Sequence, residues 1–116
     1  MLNTVADEKE SKSPEINVLF RVRVKADRIE EFYRLAGTLM QASREESGCV
    51  SFTYHQSLKD AADFFLYEQW RDQPSLKGHL ARLVEQYGPP EGGGFLPKVL
   101  TDYWDSMEAT KYRVVE

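Results

Sequence analysis

Only one cysteine, Cys49, stands in the 116 residues, so no intrachain disulfide can form and the chain suits a reducing compartment. No apolar run approaches the roughly 18 residues that a membrane span needs. The first residues, Met-Leu-Asn-Thr-Val-Ala-Asp-Glu, have neither the basic region nor the apolar core of a secretory signal, so a cytoplasmic location is expected. Basic side chains number 15 against 19 acids, a formal net charge of −4. No stretch carries the basic excess that binding to phosphate backbones requires, which argues against a nucleic-acid partner. His55 and His79 are far apart with no cysteine beside them, so no metal site is expected. Short catalytic motifs are lacking too: there is no G-x-S-x-G and no H-E-x-x-H. Gly92-Gly93-Gly94 lacks the Lys-Ser/Thr that would make it a phosphate loop. Cys49, without a neighbouring histidine, reads as a packing residue. At this length one domain is expected.

Between Asp7 and Glu15 four acids face two lysines, and only Leu2 and Val5 before them could pack. Residues 1–14 therefore read as a disordered acidic arm, with a single domain over 15–116. In that domain Ile16, Val18, Phe20, Val22 and Val24 alternate with polar residues, Leu19 excepted, which predicts a half-buried strand. Asp27-Arg28-Ile29-Glu30 reads as a capping box with Asp27 as N-cap. The helix that follows carries the stripe Ile29, Phe32, Ala36, Leu39 and Ser43, and Gly48 is expected to close it in the left-handed conformation. Val50, Phe52 and Tyr54 mark a second strand. Phe64 to Trp70 makes a third, apolar on both faces and so expected at the centre of a covered sheet. Asp72 and Pro74 open a helix with the stripe Leu76, Leu80, Leu83, Val84 and Tyr87. Beyond the loop 88–94, the spacing of Leu96, Val99, Leu100, Tyr103, Trp104 and Met107 predicts a further helix, and Thr110 to Val115 a last strand. This order, β-α-β-β-α-(α)-β, predicts an α+β fold: a ferredoxin-like four-stranded antiparallel sheet with helices on one face. The helix-free face would carry Leu19 and one apolar set from the third strand, and a second copy of the chain is the expected cover.

Chemistry then rests on interior polar groups. His79 falls on the buried stripe of its helix, between Leu76 and Leu83. Glu68 shares strand parity with Phe64, Leu66 and Trp70. If that set faces the helices, a carboxylate, an imidazole and an indole point into one space, and the carboxylate needs a partner or a wet cavity. The opposite parity would send Phe65, Tyr67 and Gln69 inward and put Glu68 on the dimer face. The functional reading is a buried base that takes a proton from a phenolic or enolic substrate, with Trp70 as an aromatic wall. The plainer reading is a hydrogen-bonded core histidine and glutamate.

Glu46-Ser47-Gly48-Cys49-Val50, Tyr67-Glu68-Gln69-Trp70 and Ser75-Leu76-Lys77-Gly78-His79-Leu80 together resemble the antibiotic biosynthesis monooxygenase family, over residues 16–115. The resemblance implies a dimeric α+β barrel whose ligand cavity lies between sheet and helices. It also implies oxidation of quinols or anthrone-like polyketides by dioxygen without a cofactor. Glu68-Gln69-Trp70 and His79-Leu80 resemble the quinol-oxidising branch. The anthrone-oxidising branch has asparagine and tyrosine where this chain has Leu66 and Leu76, and haem-degrading relatives carry a histidine near Tyr87 to Pro90 that is absent here. The expected site is thus His79 or Glu68 as base, a pocket shaped by Trp70, Leu66, Tyr54 and Leu76, and no cofactor. The expected partners are an aromatic small molecule, dioxygen and a second copy of the chain through the helix-free sheet face. Loop 88–94 is a candidate lid or a simple spacer. The alternatives are a non-catalytic binding or scaffold dimer, or an isomerase or decarboxylase using the same base.

Overall fold

Alternation along β1 (Ile16–Val24) sends Val18, Phe20, Val22 and Val24 into the core and leaves Arg21 and Arg23 exposed on the other face. In the computed structural model, which describes residues 15–115, this strand is followed by α1 (Ile29–Arg44), β2 (Cys49–Gln56), β3 (Asp63–Trp70), α2 (Gln73–Tyr87), α3 (Lys98–Thr101) and β4 (Trp104–Tyr112). The acidic arm expected over residues 1–14 lies outside the described residues. The strands form one antiparallel sheet in the order β2-β3-β1-β4, so β1 and β3 are central, and the architecture is the ferredoxin-like α+β arrangement. The parity of β3 is settled: Phe64, Leu66, Glu68 and Trp70 are buried beneath the helices, while Phe65 and Tyr67 are about a third exposed on the opposite face.

The core is built round Phe32, which is fully buried and meets Tyr54, Phe64, Tyr103 and Trp104 with ring centroids 5.2–5.9 Å apart. Most of these contacts are edge-to-face, the arrangement that ring quadrupoles favour. α2 begins as expected: Asp72 is its N-cap and accepts from the Ser75 N–H at 2.9 Å, with Pro74 in the first turn.

Local expectations fail in four places, each for a physical reason. The Arg28 N–H donates to the Lys25 carbonyl, a turn that moves the start of α1 one residue on, so Arg28 is the N-cap and no capping box forms. Its guanidinium instead pairs with Glu31 and lies 3.8 Å over the Tyr103 ring. Gly48 is not left-handed. It is required by close approach, since a Cβ there would overlap Oγ and Cβ of Ser75 in the first turn of α2. A register shift between Cys49 and Ser51 throws Val50 outward, leaving Phe52 and Tyr54 as the inward residues of β2. The helix expected through Met107 shrinks to one turn, α3. From Trp104 onward the chain pairs with β1, which would otherwise lack a partner on that edge, and the Lys25 N–H donates to Tyr103 O at 2.8 Å where this pairing starts. Leu96, Leu100, Tyr103 and Trp104 remain buried, so the apolar residues keep their role although the helix that spacing suggested is replaced by a turn and a strand.

Candidate active site

Ser75, His79 and Arg82 fall at i, i+4 and i+7 on α2, so they share one face of that helix. Because Gly48 lets Ser75 close onto the turn between α1 and β2, the same face meets Glu46, which sits in that turn. Glu46 Oε2 lies 2.8 Å from His79 Nδ1 and 2.9 Å from Arg82 Nη2. A carboxylate can only accept, so Nδ1 is the protonated nitrogen of the neutral ring and Nε2 carries the basic lone pair. Among the described residues Nε2 has no hydrogen-bond partner. The imidazole is buried, 4.6 Å from the Trp70 ring and 5.3 Å from Phe52. Burial lowers its pKa below the ordinary histidine value, and the Glu46 hydrogen bond opposes that in part.

Glu68 projects from the centre of the sheet, opposite Val18 on one side and Phe52 on the other. Trp70 Nε1 donates to its Oε1 at 2.6 Å. Burial pushes the carboxyl up to about 7, against the lowering effect of the Trp70 hydrogen bond and with a smaller upward push from the charge of Glu46. Near neutral pH this group is therefore divided between acid and carboxylate.

Both residues line a cavity of about 460 Å³ between sheet and helices, within the usual ligand-site range of roughly 300–1,000 Å³. Tyr54, Leu66 and Leu76 line it as well, so five of the six side chains singled out in the sequence meet there. Trp70 does not. Expected as the aromatic wall, it is wholly buried behind Glu68 and His79, and its indole N–H is taken by the carboxyl. The aromatic wall is made instead by Phe52, Tyr54, Phe95 and Trp104. Burial raises the Tyr54 phenol pKa well above its ordinary value, reinforced by the Glu68 charge, so Tyr54 is a neutral donor and not a base. Trp104 Nε1 is buried without a partner, a second unused hydrogen-bonding group on a lining residue. No group of three or more His, Cys, Asp or Glu among the described residues is placed to hold a metal ion, and no helix among them is long and apolar enough to cross a membrane.

The sequence reading missed the roles of Glu46 and Arg82. The Glu46–His79 contact joins residues 33 positions apart, and no periodicity reports such a pair. The available signal was the place of Glu46 at the head of the Glu46-Ser47-Gly48-Cys49-Val50 segment that carries the family resemblance, which gives it no role by itself.

Glu68 gives the site a pH signature. Its folded pKa of about 7 stands above the ordinary 4.5. Its contribution to stability is therefore fully present below the unfolded value and lost as pH rises through 7. His79, lowered by burial, has the opposite sign and costs stability as pH falls below its ordinary 6.5. Glu68→Gln removes the first effect and keeps the second. Urea unfolding from about pH 4.5 to 8 should show the stability difference shifting in favour of the variant by about 3 kcal/mol. A difference that did not change with pH would contradict the buried, perturbed carboxyl.

The family model of antibiotic biosynthesis monooxygenases matches residues 16–83, a segment that contains Glu46, Glu68, Trp70, His79 and Arg82. An uncharacterized protein of Synechocystis is 30% identical over 76 residues, 66% of this chain and 52% of that protein. The Bacillus subtilis protein YcnE, whose monooxygenase assignment is itself provisional, is 31% identical over 58 residues, 50% of this chain and 61% of that protein. The matches thus span between half and two thirds of these relatives' lengths. A conserved protein of Methanosarcina mazei superposes with a TM-score of 0.67 at 24% identity, over 85% of this chain and 91% of that one, which speaks for the fold alone. With more than half its length matched by the family model, the chain belongs to the antibiotic biosynthesis monooxygenase family.

Proposed function

We propose that the chain is a monooxygenase that uses dioxygen, without a cofactor, to oxidise a phenolic or quinol-like aromatic molecule held in the 460 Å³ cavity. The observation that carries this reading is the pairing of His79 Nδ1 with Glu46, which leaves Nε2 basic on a residue lining an otherwise largely apolar cavity. Membership of the family supports the reaction class, not the substrate.

The chemistry needs a base, a desolvated pocket and a proton donor. His79 Nε2 takes the phenolic proton, and the desolvated phenolate becomes an electron-rich carbon centre. An electron pair of the ring forms the new C–O bond to dioxygen, which is reduced to a peroxide. Glu68, part-protonated near pH 7, supplies a proton to the distal peroxide oxygen and recovers one from the His79 imidazolium. The ring carbon then loses its hydrogen as a proton while the O–O bond breaks. One oxygen stays as a quinone carbonyl and the other leaves as water. Phenol and dioxygen are thus converted to quinone and water, with oxygen as the only oxidant. Glu46 is a positioning residue in this scheme, since it acts through His79.

The helix-free face bears partly exposed Leu19, Phe65 and Tyr67, with His55 stacked on Phe65 at 4.4 Å. We propose that a second copy of the chain covers it. Light scattering at micromolar concentration should give twice the 13.4 kDa chain mass, and Phe65→Glu should restore the single mass. A monomer in the unaltered protein would overturn this.

Dioxygen uptake with metal-free protein and a panel of phenols, reduced quinones and anthrones tests the reaction. His79→Ala should lower uptake at least ~100-fold and Glu46→Gln by roughly 10-fold, through misorientation of the base. Uptake should rise with pH through an apparent pKa below the ordinary 6.5 of histidine, because the base must be neutral, and fall above about 7 as Glu68 loses the proton it donates. No uptake above autoxidation across the panel would favour a binding dimer, and full activity in His79→Ala would move the base elsewhere.

A further inference from the structure

Lys111 has no part in the reaction just described, yet it lines the same cavity. It stands on β4 opposite Val18, and Val18 stands opposite Glu68, so all three lie in one row across the inner face of the sheet. Two strand spacings, about 10 Å in ordinary sheet geometry, separate the backbone of Glu68 from that of Lys111. Between them the floor is apolar, made by Val18 with Phe20 and Ala109 beside it. One side of the cavity therefore offers the base and the acid, and the exposed side offers an ammonium group.

That ammonium is available. Among the described residues seven lysine and arginine side chains pair with acids, among them Arg21 with Asp63, Arg23 with Asp60, Arg82 with Glu46 and Lys98 with Asp102. Among the described residues the Lys111 side chain makes no ion pair and no hydrogen bond, although acids outnumber bases in the chain. Apart from His79, it is the cavity's only basic lining residue among those described. It also lies beyond residues 16–83, the segment that the family match covers.

We propose that Lys111 is a specificity-determining residue that selects an aromatic substrate bearing an anionic group, such as a carboxylate, remote from the hydroxyl that His79 deprotonates. The ring spans the apolar floor, the hydroxyl meets His79 and Glu68, and the carboxylate meets Lys111 at the mouth. The opposite orientation would bring a carboxylate against Glu68 and leave the Lys111 charge unpaired, so one charge fixes both choice and direction. This rests on the oxygenase reading for its catalytic end but not for the binding preference.

The test is equilibrium binding by calorimetry with 2-naphthoate and its neutral analogue 2-naphthamide, neither of which carries a hydroxyl to oxidise. The unaltered protein should bind the acid about five-fold more tightly than the amide, the effect of one partly exposed ion pair. Lys111→Met keeps the side chain's length on an exposed edge strand and should abolish that preference, while Lys111→Arg should retain it. Raising the salt concentration should narrow the ratio in the unaltered protein alone. An acid preference unchanged in Lys111→Met, no preference in the unaltered protein, or binding of neither probe would each overturn the proposal. A lost preference in Lys111→Met together with absent dioxygen uptake would uphold this subsite and refute the oxygenase reading, so the two failures are told apart.

Discussion

A single oxygen atom, Glu46 Oε2, receives both His79 Nδ1 and Arg82 Nη2, and the polar chemistry of the cavity depends on it. Burial makes a charged imidazole costly, so the ring is held neutral, and a neutral ring has to place its one proton on one nitrogen. The carboxylate makes that choice. It fixes the proton on Nδ1, sets the orientation of the ring against Trp70 and leaves the lone pair on Nε2. Arg82 shares the load, since without a second donor the half-buried carboxylate would carry its charge against the histidine alone.

The same burial acts in opposite directions on the two titratable groups that line the cavity. It lifts Glu68 to about 7 and depresses His79, so a proton acceptor and a proton donor coexist near neutral pH within one apolar enclosure. The sheet supplies rigidity: Glu68 sits on β3, hydrogen-bonded on both sides, and Trp70 two residues on pins its carboxyl from behind. The helix supplies the second group, and Gly48 sets how closely that helix approaches the turn that carries Glu46. Strand, turn and helix thus each contribute one part of the arrangement.

Much of the fold was legible because it is written in local periodicity. The alternation in β1, the stripe of α2 with its Asp72 cap, and the double apolar character of β3 each reflect a face that must be buried. The last quarter was not legible in this way. The residues from Leu96 to Met107 have helical spacing, yet their fate was decided by the edge of β1, a partner some eighty positions earlier. The candidate site divides along the same line. His79 and Glu68 stood out because polar groups on buried faces are conspicuous, and the resemblance to the family placed them together. Glu46 was visible only as part of a family-like segment and Lys111 not at all, because a contact between a turn and a helix and a lysine on an edge strand take on meaning only once the chain is folded. Trp70 was assigned to the wall because it shares strand parity with Glu68, whereas its buried N–H makes it a support for that carboxyl.

The central claim is that Glu46 holds His79 as the neutral Nδ1–H tautomer with Nε2 free to accept a proton. Nitrogen-15 NMR of the two imidazoles at neutral pH tests it directly, with His79 assigned by removing the other histidine in His55→Gln. The account predicts an Nδ1 resonance of the protonated type and an Nε2 resonance of the unprotonated type, with that bias weakened in Glu46→Gln. A His79 that is doubly protonated at neutral pH, or that carries its proton on Nε2, would contradict it.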